Sequence, residues 1–144
     1  MSCVLRARGP HFDVDAFLKA SSLDALTAFH RGEAHFEASS LSRRGSCSGM
    51  NISVSTRESS DLKGLVGDAI RFLTDNGAEL RRLRDFPGLQ RMDLDFPVEA
   101  RDQVFQSDSF PPHLLSLLGE LRIGLVVSRS PAYRAAEEQS FREQ

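Results

Sequence analysis

Residues 50–73, MNISVSTRESSDLKGLVGDAIRFL, contain two hydrophobic periods, one directly after the other. In the first seven positions Met50, Ile52 and Val54 alternate with polar residues, which predicts a half-buried strand. From Leu62 onward the apolar residues recur every three or four positions, which predicts an amphipathic helix. A strand followed at once by such a helix indicates a protein of mixed class, in which sheet and helices share a core.

The same two periods recur on either side of this stretch. Further strands are predicted at residues 2–8, 25–31, 89–96 and 121–127, and further helices at 13–20, 78–85 and 110–119. Pro97 is expected to end the fourth strand or to lie at an edge, because proline offers the ladder no N–H. The last strand is almost continuously apolar, which is typical of a strand covered on both faces. We therefore predict an α+β fold, a two-layer sandwich with an antiparallel or mixed sheet of four to five strands and the helices on one face, ferredoxin-like or related.

Length and composition fit one small domain. The 144 residues predict a single domain over 1–130, a long exposed loop over 32–49 and a polar tail over 131–144. The 18 basic and 20 acidic residues give a net charge of −2, so we expect no nucleic-acid partner. No apolar run could span a bilayer and the first residues do not form a secretory signal, so we expect a cytoplasmic protein without a membrane partner. Cys3 and Cys47 are expected to be free thiols.

Polar side chains alternate with apolar ones along three of the predicted strands, and they define the candidate binding site. These residues are predicted to share the sheet face that points away from the helices: Arg6, Arg8, Asn51, Ser53, Arg91, Asp93 and Asp95. Ser55 is expected on the same face. Opposite charges there could pair across strands on an ordinary solvated surface, or the face could dock a protein partner or a small ligand. We expect it to lack the aromatic platform on which RNA bases stack.

Asp93 and Asp95 lie two positions apart on that face, so their carboxylates are expected about 6–7 Å apart. Such a pair could hold a hard cation or act as acid and base. No third ligand follows at a recognised spacing and the four histidines match no zinc motif, so we predict no metal and no cofactor. The arginines at 81–84 either complement the dipole at a helix C-terminus or face an anionic partner.

Four stretches give the chain a resemblance to a group of small uncharacterised bacterial proteins. They are CVLRARG at 3–9 with FDVDAFL at 12–18, DAIRFL at 68–73, MDLDFPV at 92–98 and FPPHLL at 110–115, and the resemblance covers about residues 3–130. The stretches consist chiefly of packing and capping signals. The resemblance therefore implies the fold and a small accessory bacterial protein, and it carries over no catalytic residue.

Three functions remain open at this point. A protein-binding module of accessory or immunity type, without enzymatic activity, suits the size, the slight acidity and the polar face. A small-ligand sensor or enzyme would use a pocket between the 32–49 loop and the sheet, lined by His30, His35, Asp93 and Asp95. A structural homodimer would form by pairing of exposed edge strands.

Overall fold

A computed structural model describes residues 2–32 and 46–130. The elements within these ranges are β1 (Cys3–Gly9), α1 (Val14–Lys19), β2 (Thr27–Phe29), β3 (Ser48–Ser55), α2 (Leu62–Asp75), α3 (Gly77–Arg84), β4 (Arg91–Glu99), α4 (Pro112–Leu121) and β5 (Ile123–Ser130). The predicted tail at 131–144 and most of the predicted loop at 32–49 lie outside the described residues. None of the described helices has the length and apolar character needed to cross a membrane.

The five strands form one mixed sheet in the order β2-β3-β1-β4-β5. The β2–β3, β3–β1 and β1–β4 pairs are antiparallel, and β4–β5 is parallel. In both β1-α1-β2 and β3-α2-β4 the two strands run in the same direction with one antiparallel strand between them, which is the ferredoxin-like arrangement. The crossover through α4 then adds β5 beside β4, as a parallel pair requires. The predicted α+β fold is confirmed.

The helices pack on one face of this sheet and form a continuous core with it. From β1 and β4 the inward residues include Leu5, Ala7, Leu94 and Phe96, all fully buried. The helices contribute their apolar stripes, which consist of Val14 and Phe17, Leu65, Ala69 and Leu73, Leu80 and Leu83, and Leu114, Leu118 and Leu121. The opposite face, called the open face below, carries the alternate residues of each strand.

One arginine of α3 joins two helices within the fold. The Arg82 guanidinium stacks on the Phe17 ring with its central carbon 4.2 Å from the ring centroid. Its Nε donates to Glu79 at 2.6 Å and its Nη2 to the carbonyl of Phe17 at 3.2 Å. Within the described chain, Arg81 and Arg84 pair with the acidic side chains of Glu120 and Asp85. These arginines therefore have partners within the fold itself.

Pro97 does not end the fourth strand, and the alternative prediction, an edge position, agrees with the structure. β4 continues to Glu99, and Pro97 pairs with Ser128 of β5. Pairing between β4 and β1 ends at Asp95, so Pro97 lies where β4 has a neighbouring strand on one side only. A proline is tolerated at such a position because its missing N–H leaves no ladder bond unmade.

The last strand also differs from the prediction. β5 is an edge strand and is not covered on both faces, since its residues Leu125 and Val127 are 37% and 40% exposed. An apolar run by itself does not distinguish a central strand from an apolar edge.

Ser55 faces the helices, which also differs from the prediction. Val4 pairs with Ser53 while Cys3 pairs with Ser55, so Val54 is an extra residue in β3 and forms a β-bulge. The bulge shifts the alternation by one position, and Ser55 is buried on the helix side. There its hydroxyl donates to Asp68 of α2 at 2.6 Å.

Candidate functional site on the open face of the sheet

The open face brings the seven predicted site residues together, and the strand register arranges them in rows. In the central row Asn51, Arg6 and Asp93 lie side by side on β3, β1 and β4. In the next row Ser53 and Asp95 flank Val4. On the other side of the central row, Arg8 of β1 pairs directly with Arg91 of β4.

Asp95 is the carboxylate of this face in which both oxygens have partners. It is only 7% exposed. Its Oδ2 pairs with Arg6 Nη1 at 2.5 Å, and its Oδ1 accepts a hydrogen bond of 2.7 Å from the Ser128 hydroxyl. Because Arg6 is in register with Asp93, this ion pair runs diagonally to the neighbouring position of β4. Asp95 therefore ties three adjacent strands together.

Asp93 is equally buried and only half satisfied. Its Oδ2 pairs with Arg91 Nε at 2.8 Å, while its Oδ1 has no hydrogen-bond partner in the described part of the chain. Arg6 Nε is likewise buried without a partner there. Buried polar atoms without partners are uncommon and lower stability by roughly 1–3 kcal/mol each. The centre of the open face therefore carries a polar network that costs stability.

Arg8 and Arg91 place two positive charges next to each other. Directly paired residues of antiparallel strands have their Cβ atoms about 4.5–5.5 Å apart, and like charges at that spacing repel. Arg91 is 59% exposed and reaches Asp93. The exposed Arg8 side chain forms neither an ion pair nor a hydrogen bond with any described residue.

An aromatic ring completes this row. Phe29 of β2 pairs with Gly49 of β3, which in turn pairs with Arg8. A Cβ added to Gly49 would come within 2.6 Å of the Phe29 ring, so the ring lies over the glycine and next to Arg8. Phe29, Arg8 and Arg91 are called the arginine row below. The expectation that this face lacks an aromatic platform holds only in part, because it carries this one ring among the described residues.

Two further residues of the site, Ser128 and Gly124, were not among the predicted ones. Both are on β5 and face the same way as their β4 partners, Pro97 and Asp93. The signal for Gly124 was present, since a glycine inside an apolar strand often marks a close approach by a neighbouring group. Ser128 followed the end of the predicted strand and carried no such signal.

His30 does not contact either of the two aspartates. His30 Nε2 lies 2.8 Å from Asp15, next to β2. Strand spacing puts β2 about 14 Å from β4, with β3 and β1 between them. His35 lies outside the described residues. No group of three or more histidine, cysteine or acidic side chains in residues 2–32 and 46–130 could hold a metal ion. His30 therefore lies apart from Asp93 and Asp95, and most of the loop that would complete the predicted ligand pocket lies outside the described residues.

Two ionisable groups under the sheet have shifted pKa values. Burial, and then the negative charges of Asp95 and Asp68, raise the pKa of the Cys3 thiol to about 12. Hydrogen bonds from Ser55 and Arg57 hold the pKa of Asp68 below its ordinary value. Cys3 is therefore a protonated, buried thiol, and Asp68 stays ionised as the acceptor of a structural cluster.

Comparisons of the chain with family models, with curated proteins and with solved structures find no match.

Proposed function

We propose that the open face docks an acidic segment of a protein partner and that the chain is a protein-binding module of accessory or immunity type. The observation that carries this proposal is the direct pairing of Arg8 with Arg91. Asp93 compensates Arg91 only, and the Arg8 side chain has no acidic partner among the described residues, so a further carboxylate placed between the two guanidinium groups would be attracted by both.

The neighbouring residues support a protein as the partner. Arginine and aromatic side chains are enriched at the energetic centres of protein interfaces, and Phe29 stands in the same row as the two arginines. Guanidinium groups also match carboxylates in a bidentate geometry. Single-stranded nucleic acid, by contrast, is usually bound on several stacked rings, and the described open face offers one.

The centre of the face would give the partner a rigid support. The ion pair and hydrogen bond of Asp95 fix β1, β4 and β5 relative to one another. The arginine row is therefore presented on strands, and little ordering is required when a partner binds. The buried unpartnered atoms near it are a stability cost of the kind that functional surfaces retain.

The experiment that tests the proposal compares proteins captured from a lysate of the source cells by three forms of the immobilised chain. The wild type is compared with the charge-reversed variant R8E/R91E and with K19E/K63E, which changes the net charge equally on exposed helix positions. We expect one protein to be retained by the wild type and by K19E/K63E, lost with R8E/R91E and released by salt. Equal retention by all three forms would contradict the proposal, and so would a retained protein that salt does not release.

A further inference from the structure

The two edges of the sheet differ in length and in protection. On one side the edge is β2, which has three residues. On the other it is β5, which has eight, and no described strand pairs with its outer side. Natural sheets protect their edges with short strands, charges, prolines or bulges, because an open edge is a template for another strand. β2 is protected because it is very short.

β5 has little of this protection. Between Ile123 and Ser128 it contains neither a charged residue nor a proline. On the helix side of the strand Leu125 and Val127 are substantially exposed. An edge with these properties is suited to pairing with a further strand.

The order of side chains along β5 is close to symmetric about Val126. Leu125 and Val127 flank it as aliphatic residues, and Gly124 and Ser128 follow as small ones. A strand that runs in the reverse direction with its own Val126 opposite this one therefore meets a matching pattern. Each Leu125 would face the other copy's Val127, and each Gly124 the other copy's Ser128.

We propose that two copies of the chain pair through β5, antiparallel and centred on Val126, to form one continuous sheet. The charges permit this register, because the single arginine of the strand, Arg129, comes opposite the other copy's Ile123 and no like charges meet. A second copy is the occupant that the symmetric pattern specifies, since a closed two-fold contact requires a self-complementary surface.

The pairing has a consequence for the open face. A two-fold axis perpendicular to the sheet at Val126 leaves both helix layers on one side and both open faces on the other. The dimer would then present two arginine rows in one plane, and a partner with two acidic segments would bind by avidity. The dimer itself rests on β5 and does not depend on the proposed function.

Cysteine cross-linking tests the register directly. In V126C/C47S the two new thiols would lie on opposite residues, with Cα atoms about 4.5–5.5 Å apart, which is within disulfide range. In the matched control L125C/C47S the two substituted residues would not be opposite each other. They would be two positions apart along the paired strands, with Cα atoms about 8 Å apart, which is beyond that range. Under a mild oxidant we expect a covalent dimer from V126C/C47S alone. A covalent dimer from L125C/C47S alone, or from neither variant, would overturn the proposal.

Sedimentation velocity of the full chain supplies the second measurement. We expect the wild type to have the mass of a dimer, and L125K/V127K to have the mass of a monomer because two cations per copy would oppose each other along the edge. Leu26→Lys, at an exposed residue next to β2, should leave the dimer intact. A monomeric wild type at all concentrations would overturn the proposal, as would a dimer that L125K/V127K leaves unchanged.

Discussion

The carboxylate of Asp93 lies directly over Gly124 of the neighbouring parallel strand. A Cβ added to Gly124 would clash with Asp93 Oδ1, while the next nearest atoms outside the two neighbouring residues of the chain lie 3.6 Å or more away. Glycine is therefore needed here because the Asp93 side chain occupies the space of a Cβ. The backbone conformation does not require it, since it is that of an ordinary strand. This contact explains how a buried aspartate fits on the open face without an overlying layer of described residues.

The first prediction concerns this contact. Gly124→Ala should lower the free energy of unfolding by about 1 kcal/mol because Asp93 must move away from the new methyl group. In an Asp93→Ala background the same substitution should be neutral or stabilising, since alanine suits a strand better than glycine. Chemical denaturation of the four proteins of this cycle gives the coupling energy, and a coupling near zero would contradict the stated role of Gly124.

The second prediction separates the two aspartates of β4. Asp95→Ala should lower the free energy of unfolding by about 2 kcal/mol, because it leaves the half-buried Arg6 guanidinium and the Ser128 hydroxyl without their acceptor. Asp93→Ala should cost less than about 1 kcal/mol, since Arg91 remains solvated and one unsatisfied oxygen disappears. The two substitutions are matched in strand, face and chemistry. Urea denaturation measures both, and equal losses would show that the network is not organised around Asp95.

The third prediction concerns Cys3. Its pKa is raised from 9.0 to about 12, so folding favours the protonated thiol. The contribution of Cys3 to stability is then complete below pH 9 and is lost as the pH rises toward 12, a decline that Cys3→Ala should abolish. At pH 8 we expect a thiol reagent to modify one cysteine of the native chain, Cys47, and both after denaturation. Rapid modification of two thiols in the native protein would contradict the burial of Cys3.

The fourth prediction concerns the contact between α1 and α3. Arg82→Lys keeps the charge but loses the planar stack on Phe17 and the second hydrogen bond to its carbonyl. We expect a loss of about 1–2 kcal/mol in the free energy of unfolding. Arg81→Lys on the same helix, whose ion pair with Glu120 is exposed, should cost much less. Thermal or chemical denaturation distinguishes the two, and similar losses would contradict the structural role of Arg82.

Local periodicity predicted most of the elements and the shared face of the site. Alternation along residues 3–9 and 91–96 assigns Arg6, Arg8, Arg91, Asp93 and Asp95 to one side, because side chains of a strand alternate between two faces whatever its neighbours. The α+β class followed from the same periods. These are properties of each segment by itself, and they do not depend on which strands pair.

The remaining features depend on pairing between distant segments. Ser55 points inward because Val54 is an extra residue of β3 that has no counterpart in β1. Burial of Asp93 and Asp95 follows from the register that places Arg6 and Gly124 beside them. The opposition of Arg8 and Arg91 and the position of β5 at the edge follow from strand order and register. One sequence does not specify that register, since each strand has several partners of similar pattern.

The measurement that tests the central claim most directly is the effect of Arg8→Glu on stability and on partner capture in the same preparation. The new carboxylate would pair with Arg91 across the strands, so we predict a gain of about 0.2–1 kcal/mol in the free energy of unfolding. The same protein should fail to retain the partner that the wild type captures, because the new carboxylate would cancel the positive charge that attracts an acidic segment. A variant that is less stable, or one that is more stable and still retains the partner, would contradict the assignment of Arg8 and Arg91 to binding.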